Sequence, residues 1–286
     1  MATLLLRNAV FHAFLDRYYP YTPPAKPTLD SARADAARVA GWYEASRRND
    51  SSLSLLYMFG QVPVAPREDG TLVVPFLVDY AGKPMHWREI GPLQYREVNG
   101  QEKLDFVADK DGNIRYWATT FIPGVEVFQR VPGYRSVATV GWLSGLSLLV
   151  VLGALLGWFG GWWLRRRYRS ALVFPAALQR LRLLSRLGAL VLLLAALGWL
   201  VLIVVISADE LILLQGAAVP WMYALHALDV VALLGVLAIV AHALRQWQLR
   251  LRGLRVRIGE TLLALAALYL GWVILAFGLV SFNMHF

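Results

Sequence analysis

The chain has 286 residues, 58% hydrophobic and 16% charged, with no cysteine and a formal net charge of +9. A soluble domain is typically about 45–50% apolar and about 25% charged, so this composition excludes a disordered or collagen-like chain and points to several membrane spans. Without cysteine there is no disulfide or thiolate chemistry, and compartment must be read from topology.

The positive charge is unevenly placed. Residues 1–136 hold 16 Lys plus Arg against 15 Asp plus Glu, whereas residues 137–286 hold 12 Arg, no Lys and 4 acids. All 12 arginines fall in two stretches, Arg165 to Arg186 and Arg245 to Arg257, each between long apolar runs. Such a pattern marks cytoplasmic loops, so the basic excess reports membrane orientation and nucleic acid is not expected as a partner.

In chain order, residues 1–40 read as N-terminal helices and a proline-rich linker. Leu4, Leu5, Val10, Phe11, Phe14 and Leu15 have spacings compatible with one face of a short helix, which needs a packing partner. Pro20 to Pro27 cannot continue it. A second helix is predicted from Leu29 to Val39, capped by Asp30 or Ser31.

Residues 41–136 read as an extracytoplasmic β domain. Strands are predicted at Trp42–Ser46, Leu53–Phe59, Thr71–Tyr80, Met85–Ile90, Leu93–Val98, Lys103–Ala108, Ile114–Thr120 and Val125–Arg130. The turn sequences Glu68-Asp69-Gly70, Ala81-Gly82, Asn99-Gly100 and Asp111-Gly112 separate several of them. Short strands with regular turns predict a small antiparallel sheet or small open barrel. Asp109-Lys110-Asp111-Gly112-Asn113 superficially suggests a calcium loop, but Ile114 and Thr120 stand where an EF-hand needs glycine and an acid, so it reads as a hairpin turn. No zinc spacing, P-loop, dinucleotide fingerprint or G-x-S-x-G occurs, and no cofactor or metal is expected.

Residues 137–286 read as four transmembrane helices at 137–164, 187–207, 220–244 and 258–282, each long enough for about 30 Å of hydrocarbon. The predicted architecture is therefore α+β, a small β domain followed by a four-helix bundle in the lipid bilayer. The arginine loops predict a cytoplasmic side, with the N-terminal domain and the C-terminus outside. Gly141, Gly145, Gly153, Gly157 and Gly161 form a small-residue face on the first span, suited to packing within the bundle or against another copy. Asp229 is the acid well inside a span, and His226 lies three residues before it on the same face. The pair reads either as part of a proton relay or as local pairing inside the bundle. His242 and Glu260 lie near span ends, where snorkelling or pairing with loop arginines suffices.

In order, RNAVFHAFLDRYYP, GWYEASRRNDSSL, GPLQYREVNGQEKLDFVADKDGNIRYWA and EVFQRVPGYRS before the spans resemble the C-terminal part of membrane-anchored β-lactamase-related, penicillin-binding-protein-like serine hydrolases. The resemblance implies a preceding catalytic domain, a β-rich accessory domain resembling a small lipocalin-like open barrel, and helices holding both at a bacterial-type inner membrane. That family's S-x-x-K and Y-x-N are absent from this sequence, and Lys110-Asp111-Gly112 matches its K-x-G only as letters in a turn, so no catalytic residue is assigned. Residues 1–20 also lack the features of a signal peptide, so either the first span translocates its own N-terminus or an upstream segment carried the signal; the expectation is a truncated or misassigned start, or a diverged free-standing remnant. The expected function is that of a non-catalytic, membrane-anchored accessory region, with a catalytic domain or partner protein packing on residues 1–20. The alternative is a free-standing membrane module whose β domain binds a peptide, lipid or protein.

Overall fold

The computed structural model describes residues 2–20, 29–50, 54–79, 81–98, 100–122, 124, 126–169, 176–209, 211–250 and 253–282. They form two compact units, Met1–Arg48 with Tyr57–Ser136, and Asn49–Leu56 with Val137–Phe286.

The first unit begins with α1 (Ala2–Tyr18) and α2 (Ala32–Val39). Its eight strands are β1 (Gly41–Ala45), β2 (Val62–Pro66), β3 (Leu72–Val78), β4 (Pro84–Gly91), β5 (Gln94–Glu97), β6 (Lys103–Ala108), β7 (Ile114–Thr119) and β8 (Phe128–Arg130). Each pairs antiparallel with the next, and β8 returns to β1 through Glu44 opposite Gln129, so the sheet is a closed barrel. Closure leaves no unpaired edge.

Alternation decides what lies inside. On β4, Met85, Trp87 and Glu89 point inward, and on β6 Leu104 and Phe106 do so. On β3 the buried positions pass from Leu72 and Val74 to Leu77, and the register with β4 shifts between Val73 and Val78. Pro75, which has no N–H for the ladder, lies inside that irregularity. Tyr43, Trp87, Tyr95 and Trp117 are fully buried in the barrel core, and Trp117 stacks on Phe128 with ring centroids 4.1 Å apart. Of the sheet and the barrel that the sequence offered, the structure is the barrel, closed and with a packed aromatic core.

Two hairpins share one device, and a third uses a shorter relative of it. Asp79 Oδ1 accepts the N–H groups of Ala81 and Lys83, and Asp109 Oδ1 accepts those of Asp111 and Asn113. Gly82 and Gly112 follow at φ of 76° and 83°, the left-handed conformation this turn demands. Asp69 likewise holds Thr71, with Gly70 at 78°. The Asp109 carboxylate is therefore committed to its own turn, as the hairpin reading required. Those N–H donors hold the Asp109 carboxyl below its ordinary range, and the Thr71 hydroxyl and N–H do the same for Asp69.

Two sequence expectations are corrected here. Of the expected strand Leu53–Phe59, Leu53 lies outside the described residues and Ser54–Phe59 forms the short helix α3, since this run has no alternation, and the backbone closes at Gly60 through its N–H to the Tyr57 carbonyl. The strand in its place is β2, absent from the strands expected above; it carries Pro63 and Pro66 and still pairs with β1 and β3. Asn99, residues 21–28 and Val125 lie outside the described residues.

The second unit contains α4 (Val137–Arg167), α5 (Ala176–Ala208), the single turn α6 (Leu211–Leu214), α7 (Val219–Leu249) and α8 (Leu254–Ala276). Four of these helices are long and apolar enough to cross a membrane. Compared with the predicted spans, α5 starts 11 residues earlier, carrying Arg180, Arg182 and Arg186 on helix, and α8 stops at Ala276. Leu149, Leu156, Leu237 and Leu265 are exposed, and in a bilayer they meet acyl chains.

The helices pack unequally. At Gly188 on α5 an added Cβ would lie 2.6 Å from the Cα of Gly235 on α7, so the two backbones touch. By contrast, α4 buries Val140, Ser147 and Val151, while a Cβ at Gly141, Gly145, Gly153 or Gly157 would meet nothing within 4 Å. The glycine face of the first span is therefore not the face it packs with inside this unit.

Candidate functional site

Polar chemistry is concentrated at three buried places, one in the barrel and two among the helices. In the barrel, β-alternation places Glu89 inward on the same side as Trp87. Its side chain is fully buried: Oε1 accepts the Leu93 N–H at 3.0 Å, and Oε2 has no partner among the described residues. Burial pushes the Glu89 carboxyl up, the Leu93 N–H opposes, and the Asp35 carboxyl on α2 pushes it further. The Tyr95 hydroxyl is buried and unpartnered, and burial with the same two carboxyls raises it as well. Tyr43 donates to the Val39 carbonyl at 2.6 Å, and burial pushes its phenol up to about 12 against the opposing Arg130 charge.

These contacts fasten α2 to the barrel. Arg130 donates to the carbonyls of Arg38 and Ala40, satisfying the free C-terminal end of α2, and Arg38 donates to the Gly112 carbonyl. Ala32, Ala36 and Val39 are the buried face of this helix. The described barrel core is filled by aromatic and aliphatic side chains.

Among the helices, the sequence-predicted pair sits on one buried stripe of α7 that runs Met222, His226, Asp229, Ala232, Val236, Ile239, His242 and Gln246. His226 and Asp229 are both fully buried. They are neighbours, yet each takes its hydrogen bond elsewhere. Asp229 Oδ2 accepts Nε1–H of Trp199 on α5 at 2.7 Å. His226 Nδ1 donates to the Leu279 carbonyl, just beyond α8. His226 Nε2 and Asp229 Oδ1 have no partner among the described residues.

The third cluster joins α5, α7 and α8 at their arginine-bearing ends. Arg186 pairs with Glu260 Oε1, whose Oε2 lies 3.2 Å from His242 Nδ1, and His242 Nε2 lies 3.2 Å from Gln246 Nε2. The pairing of Glu260 with a loop-region arginine is as expected from sequence. The extension through His242 to Gln246 was not foreseen, although the i,i+4 spacing of the latter two on α7 is its sequence signal. Between the two helical clusters, Asp229 and His242 are separated by about 20 Å of helix. Ala232, Val236 and Ile239 fill that stretch of the stripe, and Gly188 meets Gly235 there. The described contacts therefore supply two local polar ties and no continuous titratable chain between them. Among the described residues no group of three or more His, Cys, Asp or Glu could hold a metal ion.

Fold and sites together define a membrane protein with a closed eight-stranded antiparallel barrel and four membrane-length helices. Comparison with protein-family models, with curated proteins and with solved structures finds no match.

Proposed function

We propose that this chain is the membrane-anchoring accessory region of a β-lactamase-related serine hydrolase, with its catalytic groups supplied by another domain. The observation that carries the reading is the face of α1: Leu6, Val10, Phe11 and Phe14 are each more than half exposed. In water an uncovered apolar face of this size marks an interaction surface, and the family resemblance supplies a catalytic domain as its occupant. One described tie holds α1 to the barrel, His12 Nε2 at 3.6 Å from Glu102. In this reading the barrel lies outside a bacterial-type inner membrane and the arginine loops lie in the cytoplasm.

Sequencing upstream of Met1 tests the reading: an in-frame S-x-x-K and Y-x-N are expected, and their absence overturns it. The purified 286-residue chain should resist a serine-directed acylating probe, and labelling overturns its non-catalytic role. Because the chain has no cysteine, a single introduced thiol reports sidedness. Lys110→Cys, in a barrel turn, should react with an impermeant maleimide in spheroplasts, whereas Arg250→Cys should not; the reverse pattern overturns the topology.

A further inference from the structure

We propose that the arginine-bearing ends of α5, α7 and α8 form a binding site for the phosphate headgroup of an anionic phospholipid. The argument begins with charge. Among residues 137–286 the acids are Asp209, Glu210, Asp229 and Glu260. Only Glu260 lies at this end of the helices, and it is already paired with Arg186. Arg257, three residues before Glu260 on the same helix, brings a second guanidinium to that carboxylate's side of α8. One carboxylate cannot neutralise both guanidiniums.

The donors point the same way. Arg186 is 6% exposed, yet its Nε and Nη1 have no hydrogen-bond partner among the described residues. Arg257 Nε is also buried and has no hydrogen-bond partner among the described residues, while its guanidinium lies 4.8 Å over the Trp247 ring. Trp247 is itself fixed, because its Nε1–H donates to Thr261 Oγ1 at 2.8 Å and Thr261 donates to the Arg257 carbonyl. Two guanidiniums with unfilled N–H groups, one of them held on an indole, make a site for an anion with several acceptor oxygens.

The position selects the anion's source. Arg257 lies in the first turn of α8, and Arg186 directly precedes the apolar run of α5 that begins at Leu187, the level of the lipid headgroups. Basic pockets between transmembrane helices at this level hold anionic headgroups. Half-exposed Trp247 has the amphipathic character of an interfacial residue. Nothing in this inference depends on the proposed serine-hydrolase origin.

Native mass spectrometry of the full chain in neutral detergent, titrated with phosphatidylglycerol or phosphatidylcholine, tests the site. Phosphatidylglycerol should bind at least tenfold more tightly. Arg257→Gln should weaken it tenfold or more, with melting in neutral detergent unchanged. Arg245→Gln removes the same charge from an exposed arginine bonded to Gln248, and should cost no more than about fivefold, the worth of one charge near an anionic surface. Arg257→Lys, which keeps the charge but loses the planar fork, should fall between them. Equal binding of both lipids, or equal loss in Arg257→Gln and Arg245→Gln, overturns the site. Displacement of the lipid by millimolar inorganic phosphate would identify a free-phosphate site and overturn the lipid assignment.

Discussion

Replacing Gly188 by alanine tests whether α5 and α7 are held at backbone contact. The new Cβ would stand 2.6 Å from the Gly235 Cα and 2.9 Å from its carbonyl carbon and oxygen. Carbon atoms pack at about 3.5–4.0 Å, so the helices must part by about 1 Å, and a gap of that size forfeits a quarter to a half of each contact's attraction. Over roughly two dozen atom pairs at about 0.15 kcal/mol each, the loss is about 1–2 kcal/mol. Stretching of the Trp199–Asp229 bond, 2.7 Å in the native packing, adds a fraction of a hydrogen bond, about 0.5 kcal/mol. Alanine's better helix propensity returns up to about 1 kcal/mol. Gly157→Ala brings the same propensity gain on α4, where its Cβ meets nothing, and so serves as the control. Reversible unfolding in mixed micelles should place Gly188→Ala about 1–3 kcal/mol below Gly157→Ala. Equal stability of the two variants refutes the close approach.

Two further substitutions probe the buried polar groups. Trp199→Phe deletes the donor to Asp229 and leaves a fully buried carboxyl without that partner; micelle unfolding should register a loss of about 1–3 kcal/mol. Adding Asp229→Leu should recover much of it, and additive losses in the double variant refute the pairing. In the barrel, the Glu89 carboxyl is raised from an ordinary value of 4.5, mainly by burial. The folded state therefore binds this proton more tightly than the unfolded chain, so its contribution is full below the ordinary carboxylate range and falls as pH rises through it toward the raised value. Glu89→Gln, whose amide oxygen can keep the Leu93 N–H, should remove that decline and stabilise the barrel at neutral pH. Barrel unfolding followed by near-ultraviolet circular dichroism across acid to neutral pH measures this, and an unchanged slope in Glu89→Gln counts against a buried carboxyl.

Periodic features were legible in the sequence, and partners remote in the chain were not. Trp87, Leu104 and Phe106 face inward because residues two apart share a face, and the Asp-x-x-Gly turns announce themselves through local hydrogen bonding. The β2 strand was hidden by Pro63 and Pro66, whose missing N–H groups speak against a ladder even though β2 still pairs on both sides. Glu89 was legible in principle, since it falls two residues after Trp87, but a charge at that phase normally marks the outer face. Asp229 shows the limit most clearly. Spacing within one helix offers His226, whereas the bonded partner is Trp199, 30 residues away on another helix.

The placement of the polar ties explains why such residues are retained in an otherwise apolar unit. In lipid there is little hydrophobic drive to choose one sliding register of two leucine-rich helices over another. Trp199 bonds Asp229 at one end of the α5–α7 pair, and Arg186 reaches His242 through Glu260 at the other. Arg186 and Trp199 are thirteen residues apart on α5, as Asp229 and His242 are on α7, so a single antiparallel register satisfies both ties. A slip of one helical turn, about 5.4 Å, breaks both at once and leaves several buried polar groups unpaired, each costing about 1–3 kcal/mol. The glycine contact between them works in the same direction, because only that register places Gly188 against Gly235. Two polar ties and one backbone contact thus select a single alignment of α5 and α7, while α4, whose glycine face meets nothing within the unit, has no comparable constraint along that face.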